Sequence, residues 1–566
     1  MIVSEIRYER INGRLRFDAE YYQPRFLEIE ETLKQSKCIN LREIIKFSKL
    51  RRDPRNNPDK EFRYIDISNI NIFTGEINSQ KLKGYQAPSR ARKVVKEKDI
   101  VLSTVRPNRN AVAIIPKELG GEICSTGFTV IKAEKINPYF LFVFLKTKYT
   151  IDQLVRQAMA SMYPAVSEED IGSVLVPFPS SSFQQKIESL IKEAYKKKDE
   201  ANNKYKEAEQ LLNKTLGIED LELKENKIFE TRFSNIETNQ RIDADFYKPL
   251  YIQSIEILKE GAQKGIFIVK RLGEISKVSK GIEVGSDAYT NSGKLFLRVS
   301  NLSEREITIS DSAEFMRENF YNELKGKYKP EPGEVLCTKD ATVGIAYPIG
   351  EDFNDFIISS GILRIKPSKE IDPYYLTLTL NSIACRSQAE RHSIGAVIKH
   401  YAYSKTKDLL VPIVPLKKQK PISNLVKESF AFCKEAKRLL DKAKKDVENF
   451  IEGKGLIQRK EIEANYKDTT PLLFPEKIKL TKFPVHIKYK EYLMLDGSKK
   501  ELVLRIGDGS IIKRFEKTSM PQKKTDVVCP HFLELKWATG CPYDCSWCYL
   551  KGTFRFLPYK TKPHIK

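Results

Sequence analysis

The chain contains a long internal repeat, which constrains its fold more than any other feature. Residues 16–24, Arg-Phe-Asp-Ala-Glu-Tyr-Tyr-Gln-Pro, return at 241–249 as Arg-Ile-Asp-Ala-Asp-Phe-Tyr-Lys-Pro, 225 residues later. A spacing this long is far beyond the roughly 20 to 50 residues of solenoid units. We therefore predict a duplicated folding unit and a pseudo-twofold molecule with two related surfaces. Further matches pair 68–70 with 300–302, 137–141 with 372–376, and 176–177 with 411–412.

Length, charge and cysteine usage bound the class of protein. A chain of 566 residues predicts two or three domains, and the repeat supplies two of them. The 98 Lys and Arg exceed the 75 Asp and Glu, which suits a polyanionic partner, with a solvated lysine-rich surface as the alternative. No apolar run approaches the roughly 18 residues that cross a bilayer, and residues 1–5 do not resemble a signal peptide. Because five of the nine Cys stand singly, we expect a cytoplasmic protein with no membrane partner.

A long helix is predicted at the end of each half. The first part of each half has short β-rich runs between Pro, Gly and Asn turns, as in a mixed α/β domain. Residues 184–216 then contain no Gly or Pro, and their apolar and small residues recur at helical spacing as far as Gly217. An equivalent segment in the second half ends at Gly453. The predicted packing positions are Ile187, Leu190, Ala194, Ala201, Ala208 and Leu211 in the first helix and Ile422, Leu425, Ala436, Leu439 and Ala443 in the second.

The sequence therefore predicts an α+β fold. Two tandem, mixed α/β domains are separated by two long helices packed as an antiparallel coiled coil, and a small irregular C-terminal tail follows. A 33-residue helix is about 50 Å long, enough to hold two domains well apart. The alternative is that each amphipathic helix lies on its own domain, and Lys197 and Lys204 at packing positions leave it open.

A basic protein with two related domains on a rigid spacer suits two short DNA elements about one helical turn apart. Base readout needs paired donors or acceptors, and the loop after the predicted strand at 100–103 is richest in them. A second basic loop is better suited to phosphates, while solvated surface charge remains the alternative for each residue. The candidates are Arg106, Asn108, Arg109 and Asn110 in the first loop, Arg51, Arg52 and Arg55 in the second, and Lys280, Lys294 and Lys339 in the second half.

Residues 1–452 resemble the specificity subunit of type I restriction-modification systems. The features that carry this resemblance are the Arg-Phe-Asp-Ala-Glu-Tyr-Tyr opening, the Gly-Glu-Val-Leu strand at 333–336, the Val-Pro exits and the Gln-x-x-Ile helix starts at Gln184 and Gln419. The resemblance implies target recognition domains at 1–182 and 218–416, with spacer helices at 183–217 and 417–453. It also implies a subunit that is not itself an enzyme. Its partners would be double-stranded DNA, two methyltransferase subunits that carry S-adenosylmethionine, and restriction subunits that hydrolyse ATP.

The tail suggests a different chemistry. After a basic linker at 454–525, residues 526–566 contain Cys541, Cys545 and Cys548 in a CxxxCxxC pattern. This pattern resembles the cluster motif of radical S-adenosylmethionine enzymes of the spore photoproduct lyase-like branch, which implies a [4Fe-4S] cluster and S-adenosylmethionine. The barrel such an enzyme needs is missing from this sequence, so we expect a truncated remnant. A four-thiolate zinc site that includes Cys529 is the alternative.

Three hypotheses follow. The leading one is a DNA specificity subunit with an inert tail. The second is a DNA-directed radical enzyme whose barrel comes from another chain, and the third is a duplicated protein-binding scaffold. Neither the target sequence nor the gap length follows from the residues alone, since readout also depends on DNA shape.

Overall fold

The computed structural model describes residues 18–454, with gaps at 37, 159–163, 220–227, 291, 310–312, 352–354 and 396–397, together with a few short strands between 492 and 563. These residues divide into two compact units, 28–465 and 1–27 with 466–566. The larger unit contains the second copy of the repeat and the first copy from residue 28 onward.

Head 1, residues 28–177, is a mixed α/β domain. Its strands are β1 (Cys38–Asn40), β2 (Ile45–Phe47), β3 (Glu61–Ile65), β4 (Gln80–Lys83), β5 (Ala91–Val94), β6 (Ile100–Ser103), β7 (Val112–Ile114), β8 (Ile123–Ser125), β9 (Phe128–Ala133) and β10 (Leu175–Pro177). Its helices are α1 (Pro24–Gln35), which begins before residue 28, α2 (Pro138–Leu145), α3 (Lys148–Gln157) and α4 (Glu168–Gly172). One sheet is antiparallel, in the order β2-β9-β6-β7. The other, β4-β3-β8-β5, contains the parallel pair β3 and β8, and β1 pairs with β10.

Helix α5 (Ser181–Leu216) follows head 1, and head 2, residues 233–413, repeats its topology. The strands of head 2 are β11 (Ile268–Arg271), β12 (Ser276–Lys280), β13 (Tyr289–Thr290), β14 (Lys294–Leu297), β15 (Glu314–Met316), β16 (Val335–Thr338), β17 (Ala346–Pro348), β18 (Phe356–Ile358), β19 (Ile362–Pro367), β20 (Ser393–Ile394), β21 (His400–Tyr401) and β22 (Leu410–Ile413). Its helices are α6 (Phe233–Asn239), α7 (Pro249–Gln263), α8 (Leu272–Ile275), α9 (Glu318–Tyr328), α10 (Pro373–Asn381), α11 (Ile383–Arg391) and α12 (Tyr403–Thr406), and α13 (Leu416–Ile451) follows.

One of the two sheets has the same strand order in both heads, and the other sheet differs at its edge. The antiparallel sheet β12-β19-β16-β17 matches β2-β9-β6-β7 strand for strand, and β11 pairs with β22 as β1 does with β10. The second sheet keeps its parallel pair, now β14 and β18. Head 1 places β5 beside β8, whereas the apolar residues of α9 pack in the cluster around β18 in head 2. The duplication predicted from the sequence is thus present in the topology.

Each head is held on its own spacer helix by a buried glutamine. The side chain of Asn137 caps α2, and its backbone N–H donates to Oε1 of Gln184 at 2.8 Å. In head 2, Asp372 caps α10 and its N–H donates to Oε1 of Gln419 at 2.8 Å. Both glutamines are buried, and each also donates to a backbone carbonyl just after a strand: Gln184 to Pro179, after β10, and Gln419 to Val414, after β22. The repeated Asn/Asp-Pro-Tyr and Gln-x-x-Ile motifs are therefore two sides of one contact.

The spacer helices α5 and α13 pack against each other in antiparallel orientation. Lys186, near the start of α5, forms an ion pair with Asp446, near the end of α13, at 2.9 Å. In the middle of the pair, the hydroxyl of Ser429 donates to the carbonyl of Ala201 at 2.8 Å. The alternative of two separate helices is therefore wrong for this chain.

The predicted packing positions lie along the contact. Of these, Leu211 and Leu425 are half-buried and the other nine are buried. The buried face of the helix pair is wider than the predicted one, because the heads also cover the sides of the two helices. It also includes Ile191, Tyr205, Leu212, Val426 and Val447. Lys197 and Lys204 lie at the margin, where they pair with Glu200 at 2.8 Å and Glu207 at 3.0 Å.

Each spacer helix begins on one head and ends on the other. The end of α13, Leu439 to Ile451, belongs to the core of head 1, and the end of α5, Tyr205 to Leu216, belongs to the core of head 2. Just after α13, Glu452 accepts from the hydroxyl of Tyr149 at 2.8 Å and pairs with Lys148 at 2.9 Å. Hydrogen bonds from Lys454, Lys148 and Tyr149 lower the pKa of Glu452 to about 2. This contact ties the second half of the chain back to the first.

The smaller unit is described only in short pieces. A 3-10 helix covers Ala19–Tyr22, and the rings of Tyr21 and Tyr22 meet edge-on at 5.0 Å. Strands pair Tyr492–Leu493 with Lys499–Lys500, Ile512–Arg514 with Leu533–Leu535, and Ala538–Thr539 with Lys562–Pro563. In the described part of the chain, no helix combines the length and apolar character that crossing a membrane requires.

Candidate nucleic-acid interface

Two loops occupy the same place in the two heads. Loop 1, residues 104–110, follows β6, and loop 2, residues 339–343, follows β16. Each is held by three equivalent backbone hydrogen bonds. In loop 1 these run from Thr104 N to Gly127 O (2.9 Å), Arg106 N to Pro164 O (2.7 Å) and Val166 N to Thr104 O (2.9 Å). In loop 2 they run from Lys339 N to Gly361 O (2.9 Å), Ala341 N to Lys399 O (2.8 Å) and Tyr401 N to Lys339 O (2.7 Å).

The backbone conformation agrees as closely as the hydrogen bonds. Arg106 and Ala341, at the same position of the two loops, both adopt the left-handed region, with φ of 51° and 57°. A non-glycine residue is uncommon in the left-handed region, and the surrounding structure must stabilise it there. The two heads therefore hold the start of each loop in the same backbone frame, on which the side chains differ. Loop 1 then continues into a 3-10 helix, Pro107–Arg109, and a second left-handed residue, Asn110.

Loop 1 presents its polar side chains in two directions. Asn108 and Arg109 are exposed, and within the described part of the chain the guanidinium of Arg109 forms no hydrogen bond or ion pair. Arg106 is half-buried, while Asn110 turns inward and its Nδ2 donates to the carbonyl of Leu145 at 3.1 Å. Asn110 thus anchors the loop to α2, and its predicted part in base readout stays a prediction.

The second basic loop of head 1 comprises residues 51–55. Arg51 and Arg52 are exposed, and Arg52 Nη2 donates to the carbonyl of Gly121 at 2.8 Å. Arg55 forms two hydrogen bonds to Asp53, at 3.2 and 3.0 Å, and lowers the pKa of that carboxyl group. Part of the positive charge predicted for this loop is therefore compensated within the loop.

Strand β5 connects the two basic loops. The backbone N–H of Arg52 donates to the carbonyl of Arg92 at 3.0 Å, and that of Thr126 donates to the carbonyl of Arg90 at 2.9 Å. Gly127, which follows Thr126, accepts from loop 1. Arg90 is exposed, and Arg92 contacts Asp53 at 3.3 Å. Sequence reasoning missed both arginines, although the alternating Arg-Ala-Arg-Lys at 90–93 was a usable signal.

Head 2 compensates most of its predicted cations internally. Lys294 lies 3.7 Å from Glu318 and 3.6 Å from Asp355. Lys339 donates to the neighbouring Asp340 at 2.6 Å. Lys280, at the end of β12, is exposed and forms no ion pair among the described residues.

The remaining predicted site residues cannot be placed. Cys541, Cys545 and Cys548, with Cys529, lie outside the described residues, so the choice between an iron-sulfur cluster and zinc stays a prediction. Where the structure describes the chain, no three His, Cys, Asp or Glu side chains are grouped so that they could hold a metal ion.

Two related binding domains, mounted in the same way on a pair of long helices, define the class of this protein. The model of the type I restriction modification DNA specificity domain matches residues 34–210 and 267–440, and the chain belongs to this family. Each matched segment covers most of one head and part of the helix that follows it. The resemblance noted in the sequence is thereby confirmed for these residues.

Individual relatives of this family share little sequence identity with the chain. The specificity subunit of the type I restriction enzyme HindI from Haemophilus influenzae is 27% identical over 130 residues, which are 22% of this chain and 28% of that relative. The HsdS subunit from Thermoanaerobacter tengcongensis is 21% identical, with a TM-score of 0.28 over 74% of this chain and 96% of that one. The S subunit from M. genitalium is 11% identical, with a TM-score of 0.33 over 77% and 96% of the two chains.

Proposed function

We propose that this chain is the DNA-recognition subunit of a type I restriction-modification complex. Head 1 and head 2 each read one part of a bipartite target. The observation that carries this proposal is the common backbone frame of loops 1 and 2, which bear different side chains. Two domains that bind the same polymer at different sequences need such a constant frame with variable contacts.

The spacer helices act as an antiparallel coiled coil that sets the gap between the two half-sites. At 36 residues, α5 is about 54 Å long. Because each helix ends in the core of the opposite head, a change in helix length moves the heads relative to each other. Arg51 and Arg52 of the second basic loop and Arg90, just before β5, are exposed and bind phosphates, which position the protein, while loop 1 contacts base edges.

The chain has no catalytic role of its own in this proposal. Two methyltransferase subunits, which carry S-adenosylmethionine, dock on it, and restriction subunits that hydrolyse ATP complete the assembly. Family membership supports these partners. The duplicated architecture also favours two copies of one partner, since each copy would find an equivalent surface.

The proposal is tested by selecting DNA with the full chain and the subunits that co-purify with it. A pool of random duplexes is bound, recovered and sequenced. We expect two short motifs separated by a gap of constant length, and an affinity that falls log-linearly as salt rises. Enrichment of no motif, or binding that does not respond to salt, would instead favour a protein-binding scaffold.

For the tail, we propose that Cys541, Cys545 and Cys548 bind a [4Fe-4S] cluster. Only their spacing supports this proposal. The full chain, reconstituted anaerobically, is analysed for iron, sulfide and zinc, and the triple Cys→Ala variant serves as the control. Zinc without sulfide would mean a thiolate zinc site, and cleavage of added S-adenosylmethionine would favour the radical-enzyme alternative.

A further inference from the structure

Lys339 and Asp340 of loop 2 form a cluster of three ionisable side chains with His400, a group that the sequence did not identify. Asp340 accepts from the ammonium of Lys339 on Oδ2 at 2.6 Å, and its Oδ1 lies 2.9 Å from Nδ1 of His400. His400 comes from β21, and an antiparallel bridge between Asp340 and His400 brings it to the loop.

The cluster is not needed to hold the loop. In head 1 the equivalent antiparallel bridge joins Val105 and Ala165, and the three backbone hydrogen bonds around it are the same. Two apolar side chains thus suffice for the frame that Asp340 and His400 occupy in head 2. A grouping of charged side chains that the fold does not require points to a ligand.

The cluster is also accessible. The side chains of Lys339 and Asp340 are 19% and 20% exposed, and that of His400 is 58% exposed. A carboxylate offers about four lone-pair positions, and an ammonium has three N–H donors. The contacts inside the cluster use two of the former and one of the latter, so both groups retain hydrogen-bonding capacity toward a ligand.

We propose that this cluster reads one C·G base pair in the half-site of head 2, an inference that rests on the proposed function. Asp340 accepts from N4 of cytosine, and Lys339 donates to O6 or N7 of the paired guanine. In the major groove, this pair presents an amino donor on one base and two acceptors on the other. The adjacent anion and cation of loop 2 complement that pattern.

An A·T pair fits the cluster less well. Adenine also presents an amino donor, but thymine presents one acceptor beside a methyl group. The methyl group offers nothing to an ammonium. His400 is a positioning residue in this proposal: it holds one carboxylate oxygen of Asp340 so that the carboxylate faces the base.

The experiment repeats the selection from random duplexes with variants of loop 2, each in the full chain with its co-purifying subunits. Asp340→Asn is the central variant, because an asparagine pairs with N6 and N7 of adenine. We expect one position of the second half-site to change from C·G to A·T, with discrimination in favour of cytosine lowered about 5- to 150-fold. The first half-site and the gap stay unchanged.

Two further variants keep the test independent of folding. Asp340→Val with His400→Ala reproduces the side chains of head 1, on which the same frame forms, and should remove the cytosine preference. His400→Gln, which keeps an N–H donor, should retain more of that preference than His400→Ala. Glu331→Ala is the matched control, since it removes an exposed carboxylate paired with Lys366 at 2.9 Å, before β16 rather than after it.

The outcomes separate the inference from the proposed function. A second half-site that Asp340→Asn leaves unchanged overturns the inference, as does an equal change in both half-sites. A wild-type chain that selects no bipartite motif overturns the proposed function itself. An altered motif with Glu331→Ala would mean that loss of any carboxylate in head 2 has this effect, which also overturns the inference.

Discussion

Loops 1 and 2 begin with the same backbone frame and carry different side chains. Their frames agree in three hydrogen bonds and in a left-handed residue at the same position. In loop 1, Arg109 forms no ion pair among the described residues, whereas in loop 2 Asp340 binds both Lys339 and His400 of β21. After the duplication, the frame was kept and the side chains diverged, so fold and ligand preference are separable in this molecule.

The heads also differ in how they treat their positive charge. In head 1, Arg51, Arg90 and Arg109 are exposed. In head 2, Lys294 and Lys339 are paired with carboxylates of the same head. We infer that head 1 contributes more of the non-specific attraction to a polyanion, because an internally paired cation neutralises fewer phosphates.

The largest effect is expected from shortening the spacer. Deletion of residues 195–201 together with 430–436 removes equivalent heptads from α5 and α13 and preserves their apolar repeat. Seven residues correspond to about 10 Å of helix, or about three base pairs at 3.4 Å each. The native target should bind at least about 1,000-fold more weakly, as in non-specific binding, and selection should recover a gap about three base pairs shorter. Selection of the original gap would show that the helices do not set it.

The next effect distinguishes base readout by loop 1 from phosphate binding by the second basic loop of head 1. Arg109→Ala should lower discrimination at one position of the first half-site about 5- to 150-fold and leave the second half-site unchanged. Arg106→Ala is expected to act on the same half-site. Arg51→Ala, in the second basic loop of head 1, should weaken all sequences alike and reduce the salt slope by about one. Selection profiles for the variants measure both quantities, and equal changes in both half-sites would contradict the assignment of head 1.

A smaller effect compares the two glutamine contacts. Gln419→Ala should lower the free energy of unfolding by about 1 to 3 kcal/mol, because it leaves buried backbone groups without partners. Gln184→Ala should lower it less, since Gln419 donates to two carbonyls and Gln184 to one. Gln185→Ala, an exposed control on the same turn, should stay within about 0.5 kcal/mol. Urea denaturation followed by circular dichroism provides the comparison, and equal losses at Gln184 and Gln185 would count against a role for the contact.

The smallest effect tests the charge difference between the heads. Lys294→Ala should change affinity for random duplex by less than about twofold, because Glu318 and Asp355 already compensate this ammonium. Lys280→Ala, which removes an exposed lysine from the same head, should reduce the salt slope by about one. Fluorescence anisotropy against salt concentration measures both. A larger effect at Lys294 would mean that its ion pairs open on binding.

Much of the architecture could be predicted from residue patterns. The helix predicted at 184–216 is Ser181–Leu216, and it ends at Gly217 with φ of 66°. Such elements depend on local periodicity and on terminal glycine, which are visible in a single sequence. The domain boundaries at 182, 217, 416 and 453 remain predictions, as do the base-reading roles of the site residues.

Other features could not be predicted, because they join residues that are distant in the chain. His400 lies 60 positions from Asp340, and no local pattern announces that contact. The same holds for Asn110, whose side chain is directed to Leu145, and for the acids around Lys294. From the sequence, each of these side chains is expected to be free to bind a ligand. In the structure, a partner from another element already occupies part of its hydrogen-bonding capacity or charge.

The amino-acid sequence by itself determined the duplication, the two long helices and the basic character, because repeats, periodicity and charge are properties of the chain read in order. Only the tertiary structure decided that each helix ends in the opposite head, that loops 1 and 2 share one frame, and which of their charges remain open to a ligand. Those properties depend on which distant residues meet, and that is settled by burial of the shared cores rather than by any local pattern.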